Sequence, residues 1–288
     1  MRRALTDRLK AAARTGRWTL PQLQRHIAYD RLLERLFRRD EGWIVKGAAA
    51  LLARDIGVRA TIDVDLYRDD DIAVLEADLR LAAVTDLNDW FAFEVGQRRA
   101  AGDTAVALRL PVTATIGATT WASFHVDLAG RGLRMTGKPQ HVPALAQMHL
   151  PSLTQGGYKV YPLVDHIADK LAALYELHGS MAMPSTRYRD LVDLVAISLR
   201  SSVPAAPLIR AVRSEEARRG IQLPDRLVVP DRPLWLAGYA AEARRSLLSE
   251  AETLPIAIEM VSRFLDPVLA GTARGIWDRS LRIWAART

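Results

Sequence analysis

An aspartate pair split by one residue, on a segment of alternating polarity, constrains this chain more than any other feature. From residue 59 to 67 the sequence runs Arg-Ala-Thr-Ile-Asp-Val-Asp-Leu-Tyr, with Ile62, Val64 and Leu66 in one phase and Thr61, Asp63 and Asp65 in the other. Strand side chains alternate between faces, so the apolar phase is expected to bury while both carboxylates leave from the opposite face. Two ionised carboxylates a few ångströms apart repel each other. A shared cation relieves that repulsion, and hard oxygen ligands suit Mg²⁺ or Mn²⁺. The plainer account of the same pair is an exposed strand edge whose charges discourage aggregation.

The neighbouring segments give the pair a setting. Trp43-Ile44-Val45 reads as a short strand, Lys46-Gly47 as a turn, and Ala48 to Arg54 as a run of strong helix formers. Backbone N–H groups at the start of such a helix form a natural phosphate cradle. Further on, Asp71 to Ala83 resembles a helix. Residues 91–95, 104–110, 112–116 and 123–128 resemble strands, the third of them opening after Pro111. In the last, Phe124, Val126 and Leu128 alternate against His125 and Asp127. If that strand pairs beside residues 61–67, Asp127 joins Asp63 and Asp65 in a three-carboxylate cluster, which could hold two cations. A surface aspartate at a strand end is the alternative.

The remainder reads as helical. Residues 4–14 and 21–39 form an expected N-terminal arm (1–40), a mixed-sheet lobe occupies 41–160, and helices over 163–178, 188–200, 205–219, 234–250 and 253–269 build an all-helical lobe from 161 to 288. The expected class is therefore α+β and bilobed, with residues 131–161, rich in Gly and Pro, crossing between the lobes. The seven tryptophans are expected in packing positions rather than as base-stacking platforms.

Charge is distributed unevenly. The first 40 residues hold eleven Lys or Arg against four acids, 11 − 4 = +7, which equals the net charge of the whole chain. Clustered arginines attract phosphate, so this arm is a candidate RNA-binding surface; a solvated amphipathic face explains the same pattern. Hydrophobic residues make up 49% and charged residues 25%, the balance of a globular protein. No apolar run is long enough to span a membrane, no secretory signal is evident, and cysteine is absent, so cytoplasmic residence is expected.

A lysine in an apolar stripe is the second unusual feature. Leu163, Ile167, Lys170, Leu174 and Leu177 follow helical spacing, which places Lys170 toward the core. A buried ammonium needs a carboxylate or phosphate partner. Asp190 and Asp193, three apart on the next helix, share a face and could supply it. An internal bridge fixing two helices is the structural alternative.

In order, Lys46-Gly47-Ala48-Ala49-Ala50-Leu51-Leu52-Ala53-Arg54, Thr61-Ile62-Asp63-Val64-Asp65, the helix Ile167 to Leu174 carrying Lys170, and Arg187-Tyr188-Arg189-Asp190-Leu191-Val192-Asp193-Leu194 resemble the four motifs of the AbiEii toxin family. That family belongs to the polymerase-β-like minimal nucleotidyltransferases. The resemblance covers about residues 20 to 200 and implies a nucleotidyltransferase-like mixed-sheet lobe using Mg²⁺ or Mn²⁺ with an NTP as substrate. It assigns catalytic roles to Asp63, Asp65, Lys170 and Asp193. The cation falls to Asp63 and Asp65, with Asp127 as the candidate third ligand, and the nucleotide to Lys46, Gly47, Ala48, Ala49 and Arg54. It further implies transfer to RNA, at the tRNA 3′ end, and a cognate antitoxin partner. The family usually carries Ser or Thr after the glycine, where this chain has Ala48 and Ala49; one phosphate hydrogen bond is thereby missing. Transfer to a protein or small-molecule hydroxyl, and a degenerate module that binds RNA or a partner without catalysis, are the rival readings. Walker-type, G-x-S-x-G and close histidine spacings are absent.

Overall fold

The computed structural model describes residues 2–100, 107–146, 155–177, 179 and 181–286. The chain folds into two compact units, residues 1–54, 60–134 and 139–160 forming the first and residues 55–59, 135–138 and 161–288 the second.

The first unit opens with α1 (Arg2–Thr15) and α2 (Leu20–Arg39). Pro21 sits in the first turn of α2, where its missing N–H costs nothing, and the Thr19 N–H donates to Gln22 Oε1 at 2.8 Å. There follow β1 (Ile44–Lys46), α3 (Gly47–Ala53), β2 (Asp63–Tyr67), α4 (Ile72–Ala83), β3 (Phe91–Val95), β4 (Arg99–Ala100), β5 (Ala107–Ile116), β6 (Thr119–Ala129), β7 (Gln140–Val142) and β8 (Tyr158–Val160). The strands make one mixed sheet in the order β3-β5-β6-β2-β1-β8-β7, with β4 also paired to β5. Pairs β2–β6 and β1–β8 are parallel and the others antiparallel. Val64, Leu66, Leu110, Val126 and Leu128 fill one face of its centre and are 1% exposed or less. Burying five such side chains supplies about 1.5–3 kcal/mol each, which holds the opposite, charged face in place.

Several expectations change here. Leu5, Leu9, Ile27, Leu32 and Leu36 share one core cluster with the sheet, so residues 1–40 are an integral layer of this unit rather than a separate arm. Arg31 and Arg35 are 1% and 0% exposed and both bind Asp89, Arg31 Nε at 2.6 Å and Arg35 Nη2 at 2.7 Å. They are packing groups, not phosphate contacts. Among residues 2–40 the exposed basic residues are Arg2, Arg3, Arg8, Lys10, Arg14, Arg17, Arg38 and Arg39. The strand expected over 59–67 begins only at Asp63, and Ile62 is 51% exposed. Residues 107–116 form one strand running through Pro111, where 104–110 and 112–116 were expected to be separate; residues 104–106 lie outside the described residues. Pro111 falls where the partner of β5 changes from β3 to β4, and its carbonyl accepts the Gly96 N–H at 2.9 Å. The segment read as a connection contributes β7 and β8.

The second unit contains α5 (Leu163–Ala173), α6 (Tyr188–Arg200), α7 (Ala205–Arg219), α8 (Arg232–Arg245) and α9 (Leu254–Leu269). Helix α5 packs on α6 and α7, and α6 on α8 and α9. Gly220 ends α7 in the left-handed region at φ 62°, and Asp231 caps α8 through the Leu234 N–H at 3.0 Å. This unit is not wholly helical: β9 (Ile276–Asp278) and β10 (Ile283–Ala285) form a hairpin around Trp277, which is buried and donates Nε1–H to the Ser198 carbonyl at 2.8 Å. Helix α5 stops at Ala173, short of the expected 178, which leaves Leu177 61% exposed. Among the described residues no helix is long and apolar enough to cross a membrane.

Candidate active site

Register places the charged side chains of the first unit in a row. Arg109 on β5 pairs with Asp127 on β6, Asp127 with Asp65 on β2, and Asp65 with Lys46 on β1. Registered neighbours point to the same face, so four adjacent strands offer guanidinium, carboxylate, carboxylate and ammonium in line. One step along, Asp63 is in register with His125, whose Nδ1 lies 3.4 Å from Asp63 Oδ1. The parallel pairing of β2 with β6 thus brings Asp63, Asp65 and Asp127 together.

The turn between β1 and α3 is shaped for this row. Gly47 has φ 58°, a conformation that costs a side chain dearly, and a Cβ added there would overlap Asp65 Oδ2. Glycine therefore lets the chain reverse while lying against the carboxylate. Ala48 and Ala49 are 7% and 0% exposed, so their methyl groups pack inward. Arg54 is at the far end of α3, with Nη2 donating to Gln140 Oε1 at 2.7 Å. Burial lowers its pKa to about 10, and a seven-residue helix, roughly 10 Å long, separates it from the turn.

The carboxylates do not form a three-ligand cage. Arg109 donates Nε to Asp127 Oδ1 at 2.8 Å and Nη2 to Asp127 Oδ2 at 2.6 Å. Those bonds, against partial burial, raise the arginine's pKa further and keep it a cation. Among the described residues no group of three or more His, Asp or Glu side chains is arranged to hold a metal ion. Two carboxylates still suit one cation: Asp63 Oδ1 is buried without a hydrogen-bond partner, and Asp65 leaves the same face of β2 two residues on. Asp127, expected as a third ligand, is instead held by Arg109.

The second unit contains the lysine. Lys170 is 7% exposed, and its Nζ donates to Asp190 Oδ1 at 2.7 Å and to Asp193 Oδ2 at 2.8 Å, the two partners its helical position requires. Arg59 approaches Asp193 with Nε to Oδ1 at 3.0 Å and Nη2 to Oδ2 at 2.8 Å. Burial alone would raise the Asp193 carboxyl, but Lys170 and Arg59 outweigh it and hold the pKa at about 2. Burial likewise pulls Lys170 down, and Asp190 and Asp193 lift it above its ordinary value.

Sequence reasoning missed Arg59 and Arg109. Arg109 had one available signal, a basic residue between Leu108 and Leu110 in a period-two segment, which marks the polar face of a strand. Arg59 had none, because its partner is 134 residues away.

The paired aspartates beside a glycine turn in the first unit, and the helical lysine held by aspartates in the second, are the features on which the nucleotidyltransferase resemblance rests. Residues 31–285 match the family described as nucleotidyl transferase AbiEii toxin, type IV toxin–antitoxin system, and the chain belongs to that family. It is accordingly an NTP-dependent nucleotidyltransferase of a toxin–antitoxin family. Among solved structures it is similar to the nucleotidyltransferase toxin MenT4 of Mycobacterium tuberculosis, at 17% identity and a TM-score of 0.53 over 94% of this chain and 99% of that one, a likeness of fold. It also aligns with JHP933 of Helicobacter pylori at 15% identity and a TM-score of 0.49, over 86% of this chain and 94% of that one. No curated protein sequence matches it.

Proposed function

We propose that this chain is the toxin enzyme of its system, transferring a nucleoside monophosphate from an NTP to RNA, at the tRNA 3′ end, and that a cognate antitoxin restrains it. The reading rests on the paired carboxylates of Asp63 and Asp65 on a central strand, packed against the Gly47 turn. Those two aspartates would hold the Mg²⁺ or Mn²⁺, which when bound supplies positive charge to the triphosphate. The glycine turn with Lys46 lies beside Asp65, where a phosphate group can approach backbone closely. The acceptor hydroxyl oxygen bonds to the α-phosphorus, the bond to the β-phosphate breaks, and pyrophosphate leaves. Lys170, kept charged by Asp190 and Asp193, is the group that family resemblance assigns to the nucleotide phosphates, with Asp193 setting its charge and position.

RNA as acceptor is favoured by the exposed basic residues of α1 and the end of α2, even with Arg31 and Arg35 withdrawn to the interior. The test incubates the protein with total tRNA, Mg²⁺ and each labelled NTP in turn. Label on RNA that is lost in a folded Asp63→Ala variant is the expected result. Label on protein would replace RNA with a protein acceptor, and near wild-type transfer by Asp63→Ala would overturn the site.

A further inference from the structure

Asp127 is in register with Asp65, yet both its oxygens are committed. Arg109 grips it with two parallel bonds of 2.8 and 2.6 Å, and the same Nη2 lies 3.5 Å from Asp63 Oδ1. Side-on pairing of guanidinium with carboxylate is among the strongest charge-assisted contacts a protein makes. A cation at Asp127 would have to share that carboxylate with Arg109, whose guanidinium already neutralises it. A second cation there would therefore compete with an internal positive charge for the same carboxylate. Asp63 differs: its Oδ1 is buried and accepts no hydrogen bond, and Arg109 only approaches it. Asp127 is thus neutralised from within the chain, while Asp63 Oδ1 keeps an unused acceptor on the same face. The Arg109 side chain is 38% exposed, so it is also reachable from solvent.

We propose that this enzyme works with a single cation, held by Asp63 and Asp65, and that Arg109 takes the place of a second. The inference rests on the nucleotidyltransferase reading and deepens it. Arg109 contacts the non-bridging phosphate oxygens during transfer and is a catalytic residue; Asp127, acting through it, is a positioning residue. As the acceptor oxygen bonds to the α-phosphorus, the α–β bridging bond breaks and its electron pair leaves with pyrophosphate. The acceptor proton is released to water, and Arg109 neutralises charge without exchanging a proton. Fixing the arginine beforehand avoids reorganisation at the moment of reaction.

The deciding measurement counts bound Mn²⁺ by electron paramagnetic resonance, with the α,β-methylene analogue of each NTP added in turn to the full chain. One Mn²⁺ per bound analogue is expected in the wild type and in Asp127→Asn. A wild-type count of two that falls to one in Asp127→Asn would overturn the inference and leave the nucleotidyltransferase reading intact. Failure of the wild type to bind either analogue or Mn²⁺ would overturn both. Transfer assays add a second arm: Arg109→Ala is expected to lower kcat about a hundredfold, in the range for loss of one preorganised donor. Asp127→Glu, which can still hold a guanidinium, should restore transfer that Asp127→Asn loses. Wild-type kcat in folded Arg109→Ala would refute the role of the arginine, and the wild-type manganese count remains decisive should that variant not fold.

Discussion

Replacing Lys170 by Met removes a buried charge while keeping the apolar stem of the side chain. Lys170 Nζ serves two carboxylates, Asp190 at 2.7 Å and Asp193 at 2.8 Å, and the three side chains are 8%, 10% and 2% exposed. Without the lysine, Asp193 keeps both bonds from Arg59, but Asp190 is left with the half-exposed Arg187 at 3.6 Å. Removing one member of a buried ion pair costs about 3–5 kcal/mol, and the surviving Arg59 contact places this case near the lower end, about 3 kcal/mol. For a unit of this size each kcal/mol shifts Tm by roughly 2–4 °C, so a loss of about 6–12 °C at pH 7 is expected by calorimetry.

The pH dependence sharpens that test. The Asp193 pKa of about 2 lies below its unfolded value of 3.8, so its stabilisation is present above pH 3.8 and is lost as pH falls through about 2. The Lys170→Met variant has less of this stabilisation to lose, so its deficit should shrink as pH falls from 3.8 toward 2. Adding Asp190→Asn should recover much of the lost Tm, a coupling read from the double-mutant cycle. Equal melting of Lys170→Met and wild type at pH 7, or a deficit unchanged down to pH 3, would refute the argument. Transfer measured well below the melting point separates catalysis from stability: if the folded variant transfers normally, Lys170 is structural only.

Gly47→Ala should abolish transfer with a modest loss of Tm, since the added Cβ meets Asp65 before it meets the core; transfer retained in that variant would detach the turn from the site. Arg35→Leu should leave buried Asp89 with Arg31 alone and lower Tm without altering the salt dependence of RNA binding, whereas neutralising Arg38 and Arg39 should flatten that dependence; an unchanged slope in the latter removes the end of α2 from the RNA surface. Arg59→Gln should raise the Asp193 pKa, so that acid unfolding, followed by circular dichroism, begins at a higher pH than in the wild type.

Much of the framework was legible in the sequence because it depends on local periodicity. Helices α2, α4, α6, α7 and α9 begin and end within about two residues of their expected bounds, and the strand, turn, helix, strand order around Lys46-Gly47 and Asp63 is as the pattern implied. Period and spacing also put Lys170 inward and Asp190 and Asp193 on one face. What failed was whatever depends on distant partners. Alternation suggested a strand from Arg59, but Arg59 is drawn to Asp193 and the pairing starts only at Asp63. Charge counting assigned Arg31 and Arg35 to a basic surface, because nothing local reveals that Asp89, more than fifty residues on, neutralises both. Three-residue strands such as β7 and β8 are too short to display a period. The third carboxylate was correctly placed near the first two, yet its guanidinium partner arrives from another strand and changes what it can bind.

The parallel pairing of β2 with β6 also bears on when the charge row can form during synthesis. Asp65 and Asp127 are 127 − 65 = 62 residues apart in the chain and meet only through that pairing. The edge of β1 is covered by β8, which ends at Val160. Parallel strands so far apart must close a long loop before any contact rewards it, which makes their assembly slow relative to local helices. A nascent chain emerging from the ribosome can therefore form α1 to α4 while its two carboxylates on β2 still lack the neighbouring strand that completes their row. The charge row itself is complete only after β6 has been made and paired.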